Sequence, residues 1–146
     1  MKEIDNNIQE SYVSYEVGKL LKNKGFNWIY DEFNPDYNGE HSYFQNINTN
    51  EIKMLSHYYF DYNHNGIQWM DLNIPAPTHA LAIEWLRVNF GVWVIVNFAN
   101  KNKWYFDCNR IGFSGEKKRI YSSDYDYSSP QEATEAALEY TLKELI

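Results

Sequence analysis

One cysteine, four prolines and seven glycines are all that 146 residues hold of these types. Cys108 alone forms no internal disulfide, and so low a cysteine content suits a reducing cytosol. Long apolar runs are missing too. The longest, "GVWVIV", falls far short of the roughly 20 residues a membrane helix needs. The stretch "MKEIDNNIQE" lacks the apolar core of a secretory signal. Positive charge is scarce, with 13 Lys and Arg against 20 Asp and Glu. The net charge of −7 opposes general attraction to nucleic acid or anionic membrane. These absences predict a soluble, cytoplasmic protein with no membrane partner, and they rank nucleic acid last among its partners.

Aromatic residues, by contrast, make up 18% of the chain, and 13 of them are tyrosines. Tyrosine offers apolar area with a polar tip, which serves cores and binding surfaces alike. The length fits one domain, residues 1–146, large enough to fold without cross-links.

Three helices are predicted. In "VSYEVGKLLKNKGF", Ser14 caps a helix carrying Val17, Leu20, Leu21 and Lys24 at helical spacing, and Gly25 ends it. In "PAPTHALAIEWLRVNFG", Thr78 is the N-cap, and Leu81, Ala82, Trp85, Leu86 and Asn89 share a face before Gly91. The third helix follows a capping box, Ser129-Pro130-Gln131-Glu132, with proline at the first helical position. Leu138, Leu142 and Leu145 form its apolar stripe.

Between the first two helices the chain reads as strands and turns. "FNWIYDEF", "HSYFQNI" and "EIKMLSHYYF" are strand candidates, and Asn65-Gly66 signals a hairpin. "VWVIVNF", "KWYFDCN" and "KRIYSS" follow the second helix as a meander turning at "ANKN" and "GFSGE". The expected class is α+β: an antiparallel sheet of about five or six strands packed with three helices.

No segment spells out a cofactor or metal site. "DYNHNG" matches the opening of a calcium loop through Asp61, Asn63, Asn65 and Gly66, but Leu72 stands where a bidentate glutamate is needed. His41, His57, His64 and His79 show no zinc spacing, and Cys108 has no cysteine companion. Spacing leaves open a catalytic pairing of Cys108 with His79 or His57, while a lone cysteine in an aromatic strand reads as a small buried hydrophobe. "GFSG" lacks the second spacer of a nucleophile elbow, and no phosphate-loop or dinucleotide fingerprint occurs. "SDYDY" reads as a strand end or a loop; strand alternation would put Asp124 and Asp126 on one face with Tyr125 and Tyr127 opposite, solvated beside the third helix's positive end. Arg87 either stabilises its own helix C-terminus or points into a cleft.

The basic segment is the most informative positive feature. From Lys101 to Arg119 lie six cations against two carboxylates, a local +4 that leaves −11 for the rest of the chain. If the Trp104 strand pairs with the Ile120 strand, Lys101, Lys103, Lys117, Lys118 and Arg119 cluster near one end of a hairpin. Lys103, Trp104, Arg110, Lys117, Lys118 and Arg119 then form a candidate site for an anionic ligand. The competing reading is that these charges protect an edge strand.

"VSYEVGKLLKNKGF", "PAPTHALAIEWLRVNFGVWVIV" and "SSPQEATEAALEYTLKELI" together resemble an uncharacterised family of small proteins from Bacteroidales phages and mobile elements. The stretch from about Asn27 to Asn73 is least like it. The resemblance implies a phage-type product acting in a host cell's cytoplasm, and it supplies no catalytic residues. With the basic aromatic hairpin, it leads to a non-enzymatic binding protein that counteracts host defence by sequestering a nucleotide-derived immune signal. The alternative is an adaptor that occupies a host protein through an aromatic and acidic surface. A third reading is a small hydrolase of such a signal, acting through His57 or His79. A homo-oligomer is compatible with all three.

Overall fold

Ser14, Thr78 and Ser129 each stand in extended backbone immediately before a helix, and each hydroxyl accepts a hydrogen bond from an amide three residues on. These caps satisfy amides that a helix start leaves unpaired. The computed structural model describes residues 3–6, 8–27, 41–56 and 68–146. Within them the helices are α1 (Tyr15–Asn23), α2 (His79–Phe90) and α3 (Pro130–Tyr140), the last continuing into a π-helical turn, Thr141–Leu145. The strands are β1 (His41–Asn46), β2 (Ile52–Ser56), β3 (Trp69–Pro75), β4 (Val92–Phe98), β5 (Trp104–Ile111) and β6 (Lys117–Ser122). The class is α+β with antiparallel strands, and no described helix is long and apolar enough to cross a membrane.

The strands form two sheets rather than one. β2-β1-β3 and β4-β5-β6 are separate three-stranded antiparallel sheets. The division follows from the segment after β3. Pairing with β1 ends at Ala76, whose amide donates to the carbonyl of His41; Pro77 has no amide to continue it, and α2 then carries the chain away before β4 begins. Local strand signals do not reveal which distant strands pair, and this break is the feature that the single-sheet expectation missed. The "FNWIYDEF" strand, the Asn65-Gly66 hairpin, the calcium-loop match, His57 and His64 lie outside the described residues from Trp28 onward.

A core of Val13, Val17, Leu21, Phe26, Ala82, Leu86, Leu138 and Leu142 joins the three helices. A second cluster, Val94, Phe106, Cys108 and Ala137, seats α3 on the β4-β5-β6 sheet, with Ile83 of α2 against it. On α2 the buried face is Ala82 and Leu86, with Trp85 partly buried beside them. Leu81 is 42% exposed, and Asn89 turns back to the carbonyl of Trp85 instead of facing the core. Gly91 takes φ 66° and stops the helix, a conformation that favours glycine. The third helix's stripe is as expected at Leu138 and Leu142, which are fully buried. Its capping box is altered: Glu132 reaches the amide of Ser128, not that of the N-cap Ser129.

α1 packs against β3 at Gly18. A Cβ at this position would overlap the carbonyl oxygen of Pro75 and come within 2.9 Å of Ile74 Cγ2. A mid-helix glycine costs about 0.5–1 kcal/mol relative to alanine in an isolated helix. Here the close backbone approach makes that cost necessary. Gly18→Ala is therefore expected to destabilise the protein by about 1–3 kcal/mol through overpacking, despite its better helix propensity. Urea unfolding checks this, and a stabilised variant would mean that α1 does not lie this close to β3.

Candidate functional site

The register between β5 and β6 decides the fate of the basic cluster. Asn109 pairs with Arg119, Arg110 with Lys118 and Ile111 with Lys117, so three of the cations sit beside the far end of β5. Lys101 and Lys103 sit at the opposite end, in the β4–β5 turn, where Lys101 and Asn102 adopt positive φ. From Trp104 to Arg110 the strand spans roughly 20 Å at about 3.3 Å per residue. Trp104 is bridged to Tyr127, and its ring meets Phe98 edge-on at 5.2 Å. The six residues of the candidate anion site are thus divided between two ends of the hairpin. The expectation of one cluster reversed the strand direction, since antiparallel pairing brings Lys117 to Ile111 and not to Trp104.

Pleating divides them further. Phe106 and Cys108 point to α3, and Arg110 follows the same side, its Nη2 standing 3.5 Å from the carbonyl of Leu145. Lys118, paired with Arg110, shares that face, while Lys117 and Arg119 take the other. β6 is an outer strand in the order β4-β5-β6. Its exposed Lys117, Lys118 and Arg119 have the character of charges that guard an edge against pairing with another chain.

The opposite face of this sheet carries no helix among the described elements. Three cross-strand rows lie on it: Trp93, Asn109 and Arg119; Ile95, Asp107 and Ser122; and Asn97 with Tyr105. Tyr125 reaches this face, its ring 4.4 Å from that of Tyr105. Trp93 is 45% and Tyr125 58% exposed. Asn109 donates to the carbonyl of Trp93 at 3.2 Å, and Asn97 donates to Asp107 Oδ2 at 3.2 Å. Asp107 Oδ1 is buried without a hydrogen-bond donor. Tryptophan, tyrosine and arginine on one face are the residue types that protein interfaces are enriched in.

Of the two readings of the stretch around Tyr125, strand end or loop, the structure has the loop, without alternating faces. Ser123 is buried, and its Oγ accepts from the amide of Phe106 at 2.9 Å while donating to the carbonyl of Asp124 at 3.0 Å. The Ser123 amide still donates to the carbonyl of Phe106 at 2.9 Å, so the side chain replaces the return bond of the ladder and lets the backbone bend there. Tyr125 turns to the helix-free face, whereas Tyr127 packs on Phe106 of the inner face. Asp124 and Asp126 stay exposed, and no group of three or more metal-binding side chains occurs among the described residues.

Sequence reasoning passed over a third place. His79, at the first position of α2, meets Glu135 of α3 with Nε2 2.8 Å from Oε2. The other carboxylate oxygen accepts from the amide of Ser14 at 2.8 Å. Burial works to raise the Glu135 pKa, but the hydrogen bonds from His79 and Ser14 and the attraction of His79 outweigh it. The carboxyl stays below its ordinary range. Nearby, Tyr43 donates to the carbonyl of Val13 at 2.6 Å, and burial together with the Glu135 charge pushes its phenol up to about 12. A cleft of about 250 Å³ opens beside His79, lined also by Glu10, Ser11, Thr78, Gln131 and Thr134. No described hydroxyl or thiol hydrogen-bonds to the remaining ring nitrogen of His79. Glu135 shows no local sequence signal, because its partners come from residues 14 and 79.

Two remaining residues have plain roles. Cys108 is fully buried with Sγ 3.4 Å from Thr141 Oγ1, and burial pushes its thiol up, against the Thr141 hydrogen bond. That environment disfavours a reactive thiolate. Arg87 pairs with Glu84 on the preceding turn.

The Glu135 contacts set a pH dependence. A carboxyl whose folded pKa is depressed contributes stability that is present above its unfolded pKa and lost as pH falls through the folded one. Glu135→Gln is expected to lower stability by about 1–3 kcal/mol near neutrality. The gap to the natural chain should narrow as pH is lowered from 5 to 3. Denaturant titrations at several pH values check this, and a constant gap would contradict the arrangement. Compared with protein-family models, with curated proteins and with solved structures, the chain matched none.

Proposed function

We propose that this chain is a non-catalytic adaptor that occupies a partner protein with the face of β4-β5-β6 opposite α3. The observation that supports the reading best is the set of cross-strand rows placing Trp93, Tyr105, Tyr125 and Arg119 on one face. Such side chains dominate protein interfaces because they combine large apolar area with hydrogen bonding at modest entropic cost. Lys117 and Arg119 at one end of this face favour a partner whose contact surface sets carboxylates there. The resemblance to phage and mobile-element proteins makes that partner a protein of the host cytoplasm, and occupying it a means of counteracting host defence.

Sequestration of a nucleotide-derived signal is weaker on this geometry, because the cations and the aromatic ring proposed to hold it stand at two ends of the hairpin. The hydrolase reading has a histidine–carboxylate pair at His79 and Glu135, but none of the hydroxyls of Ser11, Thr78 and Thr134 that line the same cleft is hydrogen-bonded to the imidazole among the described residues. Glu135 is instead spent on holding two helix starts.

The test has two arms. Immobilised protein is used to isolate a host partner, whose affinity is then measured for the natural chain and for variants. Trp93→Ala and Arg119→Ala are each expected to weaken it by about ten-fold or more, as truncated interface anchors do, while Lys103→Ala leaves it unchanged. Native mass spectrometry with cyclic dinucleotides and cyclic ADP-ribose-type signals forms the second arm. An intact signal retained at a fixed ratio, or binding indifferent to Trp93 and Arg119, would sink the adaptor reading.

A further inference from the structure

A groove of about 260 Å³ is lined by Tyr127, Ala136, Glu139, Tyr140, Lys143 and Glu144. It belongs to the α3 side of the sheet, away from the face proposed for the partner protein, and its reading does not depend on that one. Its rings are fixed from behind. Tyr121 stacks on Tyr140 with centroids 3.8 Å apart and planes 18° from parallel. Tyr127 and Tyr140 both pack on Phe106, at 5.9 and 6.3 Å. Their positions are therefore set before any ligand arrives, which lowers the entropic cost of binding.

The charges around these rings are mostly negative. Glu139 and Lys143 satisfy each other at 2.6 Å. Glu144 lines the groove and makes no salt bridge among the described residues, although its charge also acts on Lys143. Burial first, and then the neighbouring acidic groups, raises both phenols: Tyr121, Asp126, Asp124 and Glu132 act on Tyr127, and Tyr121 and Glu144 on Tyr140. The described cations nearby are Lys143, paired with Glu139, Arg110, whose Nη2 stands 3.5 Å from the carbonyl of Leu145, and Lys103, which acts on Glu132. Glu139 and Glu144 outnumber Lys143 in the lining, and electron-rich ring surface beside such an excess of carboxylate attracts cations and repels anions.

We infer that this groove binds an organic cation, a guanidinium or alkylammonium group held against Tyr127 and Tyr140 with Glu144 as counter-charge. The shared chemistry fits a free small molecule or an arginine or methylated lysine side chain of a peptide. Both carry a diffuse positive charge with apolar surface, which suits aromatic rings better than a strongly hydrated metal ion does.

The experiment is a two-dimensional amide NMR titration of the labelled full chain with butylguanidinium, tetramethylammonium and, as the neutral isostere, butylurea. Saturable shifts confined to Tyr127 and residues 136–144 are expected for both cations. Glu144→Gln, an exposed change that spares the fold, should weaken cation binding about two- to five-fold and leave the urea response unchanged. An arginine-containing peptide amide distinguishes the sources: tighter binding than butylguanidinium assigns a side-chain site, and equal binding assigns a free molecule. Shifts centred elsewhere, equal response to butylurea, or indifference to Glu144→Gln would overturn the assignment.

Discussion

The carboxylate of Glu135 is the contact on which the arrangement of helices depends. One oxygen takes the amide at the start of α1, and the other takes the imidazole at the start of α2, while the side chain itself belongs to α3. The first turns of α1 and α2 carry partial positive charge, so a carboxylate between them is favoured on electrostatic grounds as well. The apolar core of Val17, Leu21, Ala82, Leu86 and Leu138 supplies most of the attraction between helices, but it is non-directional. The Glu135 contacts fix how the helices are turned and how far each has advanced along its neighbours. Tyr43 extends the same network to the first sheet by bonding the carbonyl next to Ser14.

What was legible in the chain was whatever a short window encodes. Ser14, Thr78 and Ser129 announce helix starts because capping is a relation across three residues. The turns at 99–103 and 112–116 follow from glycine and asparagine chemistry in the same way. The split into two sheets was not legible, since strand pairing is decided between distant segments. The same limit hid Glu135, which is an ordinary helical glutamate until residues 14 and 79 are brought to it. For the basic segment the composition was right and the geometry was not. Cations on neighbouring strands meet only if the register allows it, and the pairing of Arg110 with Lys118 sends Lys103 to the other end.

The β4-β5-β6 sheet divides its labour by face. Its inner side is filled by Val94, Phe106 and Cys108 against α3, where any polar change would cost packing. Its other side keeps tryptophan and tyrosine partly exposed, and the groove beside Tyr127 and Tyr140 lies at the rim of the packed side. The two proposed surfaces, of different chemistry, thus share one sheet without competing for residues.

Ser123 governs how those surfaces are supplied. By standing in for a backbone partner of Phe106 it ends β6, and the few residues after it are free to place one tyrosine on each side of the sheet before α3 starts. The loop therefore works as a counter, and its length matters more than its composition. Losing either Asp124 or Asp126 would shorten the span from Ser123 to Tyr127 by one residue, so that Tyr125 and Tyr127 could no longer reach Tyr105 and Phe106 together. Changing those aspartates to other small polar residues would keep both. Natural variation in this loop should accordingly be rich in substitutions and poor in insertions and deletions.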